Sequence, residues 1–125
     1  MKVLKGFATE EGTLKFATDA IKQQKINPNH FRKIRGLNLS SLGIGTYLGS
    51  LDSETDALVE LAIKDSVTSG AINVIDTAIN YRFQKAERCV GRALGELFGK
   101  KLSARNEVFI STKNGYLAPD AEYER

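Results

Sequence analysis

From Ser41 onward the sequence alternates short apolar runs with amphipathic stretches, about thirty residues per unit, and this alternation constrains the fold more than any single residue does. Leu42-Gly43-Ile44-Gly45-Thr46 reads as a first buried strand, with glycines where a ligand or another backbone comes close. Asp52 or Ser53 then caps a helix. Glu54 and Asp56 favour its N-terminal dipole, Leu58, Val59, Ala62, Ile63 and Val67 form its apolar side, Leu61 falls off that stripe, and Gly70 stops it. Ile72-Asn73-Val74-Ile75 is a second strand, ending at Asp76. The next helix has the clearest signature: Ala86, Cys89, Val90, Ala93, Leu94 and Leu97 recur at helical spacing, opposite Lys85, Arg88, Arg92 and Glu96, with Gly99 as terminator. After the turn-like Ser103 to Asn106, Glu107 to Thr112 supplies a third strand around Val108-Phe109-Ile110. A polar tail follows.

Strand, helix, strand, helix, strand at this spacing predicts parallel βαβ units with right-handed crossovers, an α/β fold. A barrel built this way takes about 250 residues for eight units. The three strands therefore read as a piece of something larger, because a three-stranded parallel sheet leaves both outer strands unpaired and prone to association. Upstream, Thr9 to Gln24 predicts a peripheral helix with Thr9 as cap and Leu14, Ala17 and Ile21 on its apolar stripe. Asn27, Pro28 and Asn29 break the chain, and Phe31 to Ser40 predicts a short hairpin pivoting near Gly36. Residues 1–30 are thus expected to form an N-terminal extension and residues 31–125 the truncated first part of a barrel.

Composition narrows the function classes. No run approaches the roughly 20 apolar residues of a spanning helix, and Met1 to Gly12 holds no apolar block of the secretory type, so the expected location is the cytoplasm. The lone Cys89 rules out an intrachain disulfide, indicates no cysteine metal cluster, and reads as a small core residue. The net charge of +3 is concentrated in residues 1–36, where eight Lys/Arg stand against three Asp/Glu. Lys2, Lys5, Lys15, Lys22, Lys25, Arg32, Lys33 and Arg35 are scattered and lack interleaved aromatics, which favours a solvated face over binding of nucleic acid or a membrane.

The polar residues at the strand ends carry the chemistry. Asp76 follows Val74-Ile75, Tyr81 comes five residues later, and Lys113 follows Phe109-Ile110-Ser111-Thr112. In parallel α/β folds, ligands and catalytic groups gather at the C-terminal strand edge, where loops vary on a rigid scaffold. An ammonium beside a phenol favours the phenolate, and a carboxylate keeps the ammonium charged and oriented, so the trio suits protonation of a carbonyl oxygen as hydride reaches its carbon. The Gly43-x-Gly45 pair with Gly49 departs from a dinucleotide fingerprint, since the third glycine comes one residue late and Tyr47 to Leu51 separates the pair from the helix. His30 is expected to be an exposed linker residue, Arg82 a solvated loop arginine rather than an anion contact, Glu87 a surface ion-pair partner, and Gly91 a close-packing position.

Gly43-Ile44-Gly45-Thr46, Ile75-Asp76-Thr77-Ala78 with Tyr81, Glu87 with Gly91, and Ser111-Thr112-Lys113-Asn114-Gly115 together resemble the aldo-keto reductases in order and spacing over roughly Phe31 to Gly115. The resemblance implies a (β/α)8 TIM barrel, of which the first three βα units are present behind an N-terminal helix and hairpin. It implies NADPH, or NADH, bound in extended form, and interconversion of small-molecule aldehydes or ketones with alcohols. It implies Tyr81 as general acid, Lys113 and Asp76 as the residues that tune it, and Gly45, Thr46, Tyr47 and Asp76 beside the nicotinamide, with Tyr47 shaping the pocket. The family's catalytic histidine and its adenosine-phosphate contacts lie on later strands, so the 125-residue chain is expected to be an incomplete fragment with little activity alone. The alternative is a non-catalytic remnant that associates through its unpaired strands.

Overall fold

The computed structural model describes residues 3–122. Lys2 of the basic set and the end of the polar tail, 123–125, lie outside the described residues. Three helices and two small open sheets follow one another: α1 (Glu10–Gln23), the hairpin strands β1 (Phe31–Ile34) and β2 (Leu37–Ser40), then β3 (Ile44–Gly45), α2 (Ser53–Thr68), β4 (Val74–Asp76), α3 (Lys85–Gly99) and β5 (Phe109–Ser111). The strand–helix alternation yields the expected parallel sheet, ordered β3-β4-β5, in which Ile44 pairs with Ile75 and Val74, Ile75 and Asp76 pair with Phe109, Ile110 and Ser111. All three C-terminal strand ends therefore open on one edge.

α3 forms as its periodicity predicts. Ala86, Cys89, Val90, Ala93, Leu94 and Leu97 are all buried, and with Ile63 and Val67 of α2, Ile75, Val108 and Phe16 they make up the core. Its ending differs from expectation: Gly99 is the last helical residue, and Lys101 takes the left-handed position at φ 57°. The Lys101 amide donates to Phe98 O and the Leu102 amide to Leu97 O, closing the last turn. α2 begins at Asp52, whose carboxylate accepts the Thr55 amide at 2.8 Å, and Gly70 follows it at φ 78°. Its apolar side is narrower than the stripe suggested, since Leu58 and Ala62 are exposed alongside Leu61. The helix packs mainly against α3, and Ile63 and Val67 are buried in the core while Val59 is half-buried.

The first strand is likewise shorter and more open than expected. Only Ile44 and Gly45 pair, Ile44 is half-buried, and Leu42 is exposed, because among the described residues β3 has a partner on one side only. The hairpin matches expectation, turning through Arg35 and Gly36 at φ 49° and 83°, both left-handed, as a two-residue turn requires.

α1 is capped by Thr9, which accepts the Gly12 amide at 2.9 Å, but its buried face is one position out of phase with the predicted stripe. Thr13, Phe16, Ala17 and Ala20 are buried while Leu14 is exposed. The cause lies in distant partners. The Thr13 hydroxyl accepts the Asn38 amide of β2 at 2.9 Å, and a Cβ at Gly12 would sit 2.2 Å from Asn106 O, so helix and loop touch where only glycine fits. The helix is thus integral to the core through Phe16, although it precedes the first predicted strand.

Asn73, fully buried at the start of β4, joins these layers. Its Oδ1 accepts the Ser40 amide at 2.9 Å, its Nδ2 donates to Asn38 O at 2.9 Å and to Glu107 O at 3.2 Å, and its own amide donates to Ser40 Oγ at 3.1 Å. One side chain satisfies three buried backbone groups from β2 and from the turn before β5. The hairpin and α1 therefore close the N-terminal end of the sheet, opposite the edge that carries Asp76 and Lys113.

Candidate active site

The strand ends bring the predicted trio together. Asp76 is the last residue of β4, and Lys113 lies two residues past β5. The Lys113 ammonium sits 3.1 Å from both Asp76 carboxylate oxygens and donates to Thr77 O at 2.9 Å. The same nitrogen stands 4.6 Å from the centroid of the Tyr81 ring, in cation–π contact. The Tyr81 phenol beside it, more than the Asp76 carboxylate, holds the ammonium above the ordinary lysine range. Lysine and carboxylate are each about half exposed, at 47% and 48% of their side-chain surface, so the group is open to an incoming molecule.

The loop after β3 completes the edge. Thr46, 2% exposed, donates its hydroxyl to Asp76 O at 3.0 Å, fixing that loop against β4. Tyr47 is 63% exposed and meets Tyr81 edge-on, with ring centroids 4.9 Å apart and planes at 69°. Gly45 pairs with Asp76 across the ladder, and a Cβ built on it meets no atom within 4 Å. Open space above Gly45, flanked by a hydroxyl-anchored loop and an exposed aromatic ring, leaves room for a flat ring.

Several residues behave differently from expectation. Arg82 is not a solvated loop arginine, for its side chain is 1% exposed. Nε and Nη2 both donate to Ser50 O, at 2.9 and 2.6 Å, and Nη2 also reaches Asp56 Oδ1 at 2.7 Å. Lys85 Nζ contacts Asp56 Oδ2 at 3.0 Å, and the Cys89 thiol lies 3.5 Å from Oδ1. Burial alone would push the Asp56 carboxyl up, but Lys85, Arg82 and Cys89 outweigh it and hold the group below the usual carboxylate range. Cys89 is the buried core residue predicted, and burial pushes its thiol up.

The backbone here is unusual. Arg82, Phe83 and Gln84 have φ of 51°, 50° and 73°, three successive side chains in the region where each costs roughly 1–2 kcal/mol. Neighbours hold the segment: the Ala121 amide donates to Phe83 O at 3.0 Å, and Gln84 Nε2 to Ala118 O at 3.1 Å. Arg88 grips Asp120 with two bonds of 2.6 Å.

Glu87 forms no surface ion pair among the described residues but accepts a short hydrogen bond from the Thr112 hydroxyl, tying the start of α3 to the residue before Lys113. His30 is half-buried rather than an exposed linker residue, with Nε2 2.5 Å from Ala71 O and Nδ1 2.9 Å from Ser41 Oγ, and it pins the hairpin to the turn before β4. It stands at the opposite end of the sheet from Lys113. Among the described residues no three His, Cys, Asp or Glu side chains are grouped to hold a metal ion, and no helix is long and apolar enough to cross a membrane.

A model of the aldo/keto reductase family matches residues 41–125. No curated protein and no solved structure matches the chain.

Proposed function

Because the chain belongs to the aldo/keto reductase family, a family of oxidoreductases, we propose that its strand-end trio serves reduction of an aldehyde or ketone to an alcohol, with Tyr81 as the proton donor. The carrying observation is the Lys113 ammonium, held by both Asp76 oxygens and placed 4.6 Å over the Tyr81 ring. A cation there favours the phenolate that remains after the proton leaves, and the carboxylate keeps the cation charged and aimed. The proton passes from the Tyr81 hydroxyl to the carbonyl oxygen and is replaced from solvent through the open edge. NADPH, or NADH, when bound supplies the hydride to the carbonyl carbon. Gly45, Thr46, Tyr47 and Asp76 would flank its nicotinamide, and Tyr47 would form one wall of the substrate pocket.

On this reading β3-α2, β4-α3 and the strand β5 open the first three units of a (β/α)8 barrel, with α1 and the hairpin closing its N-terminal end. The cofactor phosphates and a further catalytic histidine belong to strands beyond these, so the 125-residue chain alone should turn over slowly if at all. The test is a chimera in which residues 31–115 replace the matching part of an active aldo-keto reductase, assayed by NADPH consumption with a small aldehyde. Tyr81→Phe should lower kcat by about 10²- to 10⁴-fold with cofactor affinity nearly unchanged. Equal turnover in the variant would remove Tyr81 from the role.

A second reading is favoured by the sheet edges. Among the described residues β3 and β5 each have one strand partner, and Leu42, Leu48, Leu58 and Leu117 are exposed, so the isolated chain would self-associate through these surfaces. Sedimentation equilibrium decides it, since a monomer at high protein concentration excludes association.

A further inference from the structure

Tyr81 itself has few restraints: its amide donates to Ala78 O at 3.1 Å, its carbonyl accepts the Ala86 amide at 3.3 Å, and its ring meets Tyr47 and Lys113. The next residue is the best-fixed side chain in the loop. Arg82 enters the core with 1% of its side chain exposed and spans three elements: the Ser50 carbonyl in the β3–α2 loop, the Asp56 carboxylate in the first turns of α2, and Cys89 of α3, whose sulfur lies 3.6 Å from Nη1. The loop that receives Nε and Nη2 also contains Tyr47. Arg82 thus links the two loops whose tyrosines meet, and it does so from the first of three consecutive residues at positive φ, a conformation that persists only where surroundings over-determine it.

We propose that Arg82, locked to Asp56 and to the Ser50 carbonyl, is a positioning residue that sets where the Tyr81 phenol stands relative to Tyr47 and Lys113. A simple stability role accounts poorly for this arrangement. A buried ion pair is often no more stabilising than apolar side chains of the same volume, whereas a planar guanidinium with two donors on one carbonyl fixes direction as well as distance. The Asp56 carboxylate is in turn shared with Lys85 at 3.0 Å and Arg92 at 3.7 Å, so the anchor is itself held from α3. What the clamp means for turnover rests on the reductase reading of Tyr81. The clamp itself does not.

The experiment reads geometry without substrate. Nuclear Overhauser cross-peaks between the Tyr47 and Tyr81 rings, assigned through Tyr47→Phe and Tyr81→Phe, are measured in the full chain and in three variants. Arg82→Lys keeps the charge beside Asp56 and loses the two-donor hold on Ser50 O. The double variant Arg82→Met, Asp56→Asn removes both charges of the clamp, leaving Lys85 with Glu122 at 3.8 Å and Arg92 with Glu60 at 2.5 Å. Ile63→Val loosens the α2–α3 core without touching the clamp. A ring displacement of ~1 Å, enough to cost about 10²-fold in rate at a catalytic centre, reduces the cross-peak roughly threefold through its sixth-power distance dependence. Loss of at least that size in Arg82→Lys and the double variant, with the peak retained in Ile63→Val, is the expected result. An unchanged peak in either clamp variant overturns the proposal. So does loss in all three, since the contact would then report only stability. Cross-peak loss in the clamp variants alongside full turnover of Tyr81→Phe in the chimera would keep the clamp and remove the proton-donor assignment, so the two readings fail separately.

Discussion

Replacing Asn73 with alanine should destabilise the fold more than any exposed substitution, and the size follows from its bonds. The side chain makes three hydrogen bonds, to the Ser40 amide, Asn38 O and Glu107 O, from a position with no solvent exposure. At about 1 kcal/mol net for each bond, with more where a partner stays buried and unsatisfied, Asn73→Ala should cost about 3–5 kcal/mol. Against a total stability of roughly 5–15 kcal/mol this lowers the thermal midpoint by at least about 10 °C. Asn73→Asp should fall further, since it retains one bond while pointing a buried carboxylate at two carbonyl oxygens. Circular dichroism melts give the midpoints, and amide exchange gives the location. The Ser40 amide should lose protection in Asn73→Ala, whereas the Phe109 amide, bonded to the Asn73 backbone carbonyl at 2.8 Å, should keep more of it. A midpoint shift under about 3 °C, or equal exchange at both amides, would refute the claim that this side chain joins the hairpin to the sheet.

Other consequences are simpler to check. The Thr77 hydroxyl is buried without a hydrogen-bond partner among the described residues, so Thr77→Val should leave the midpoint unchanged or raise it, and a clear drop would reveal a partner. Cys89, fully buried with its thiol pushed up by burial, should resist a thiol reagent at pH 8 until urea unfolds the chain, and fast labelling of native protein would contradict its packing. Lys100 first, and Lys64 with it, draw the Glu96 carboxyl down to about 2 from 4.5, so the stabilisation is fully present above 4.5 and is lost as pH falls toward 2. Glu96→Gln should therefore flatten the stability–pH curve slightly in that interval, an effect that added salt erases because these groups are exposed. Asp56, also lowered, adds to the same acid limb.

How much of this was legible in the sequence depends on where each residue's partner sits. The apolar face of α3 could be read because all six of its apolar positions are buried, four of them in the central core cluster, whereas its end was set by Lys101 rather than Gly99. α2 misled in part: its stripe includes Leu58 and Ala62, but burial depends on how many neighbours a helix has, which periodicity does not encode. The face of α1 was set by Thr13 with Asn38 and by Gly12 with Asn106, polar and backbone contacts that a hydrophobic pattern cannot register. Asp76, Tyr81 and Lys113 were legible because each stands at or just beyond a strand end and their charges complement one another. Arg82 was not, since what buries it is a carboxylate 26 residues upstream.

The parallel register also has a kinetic meaning. The hairpin closes through near neighbours, but the main sheet joins residues roughly thirty positions apart: Ile44 pairs with Ile75, Thr46 reaches Asp76 at a separation of 30, and Asp76 meets Lys113 at 37. Long loops of this kind must be closed before their contacts repay the lost entropy, which makes parallel pairing slow compared with helix and hairpin formation. The helices and the hairpin are therefore expected early and the sheet late, with its apolar strands uncovered in the interval. The cluster at the strand ends is assembled from such long-range pairings, so the Lys113–Asp76 contact is expected to form with the sheet rather than before it.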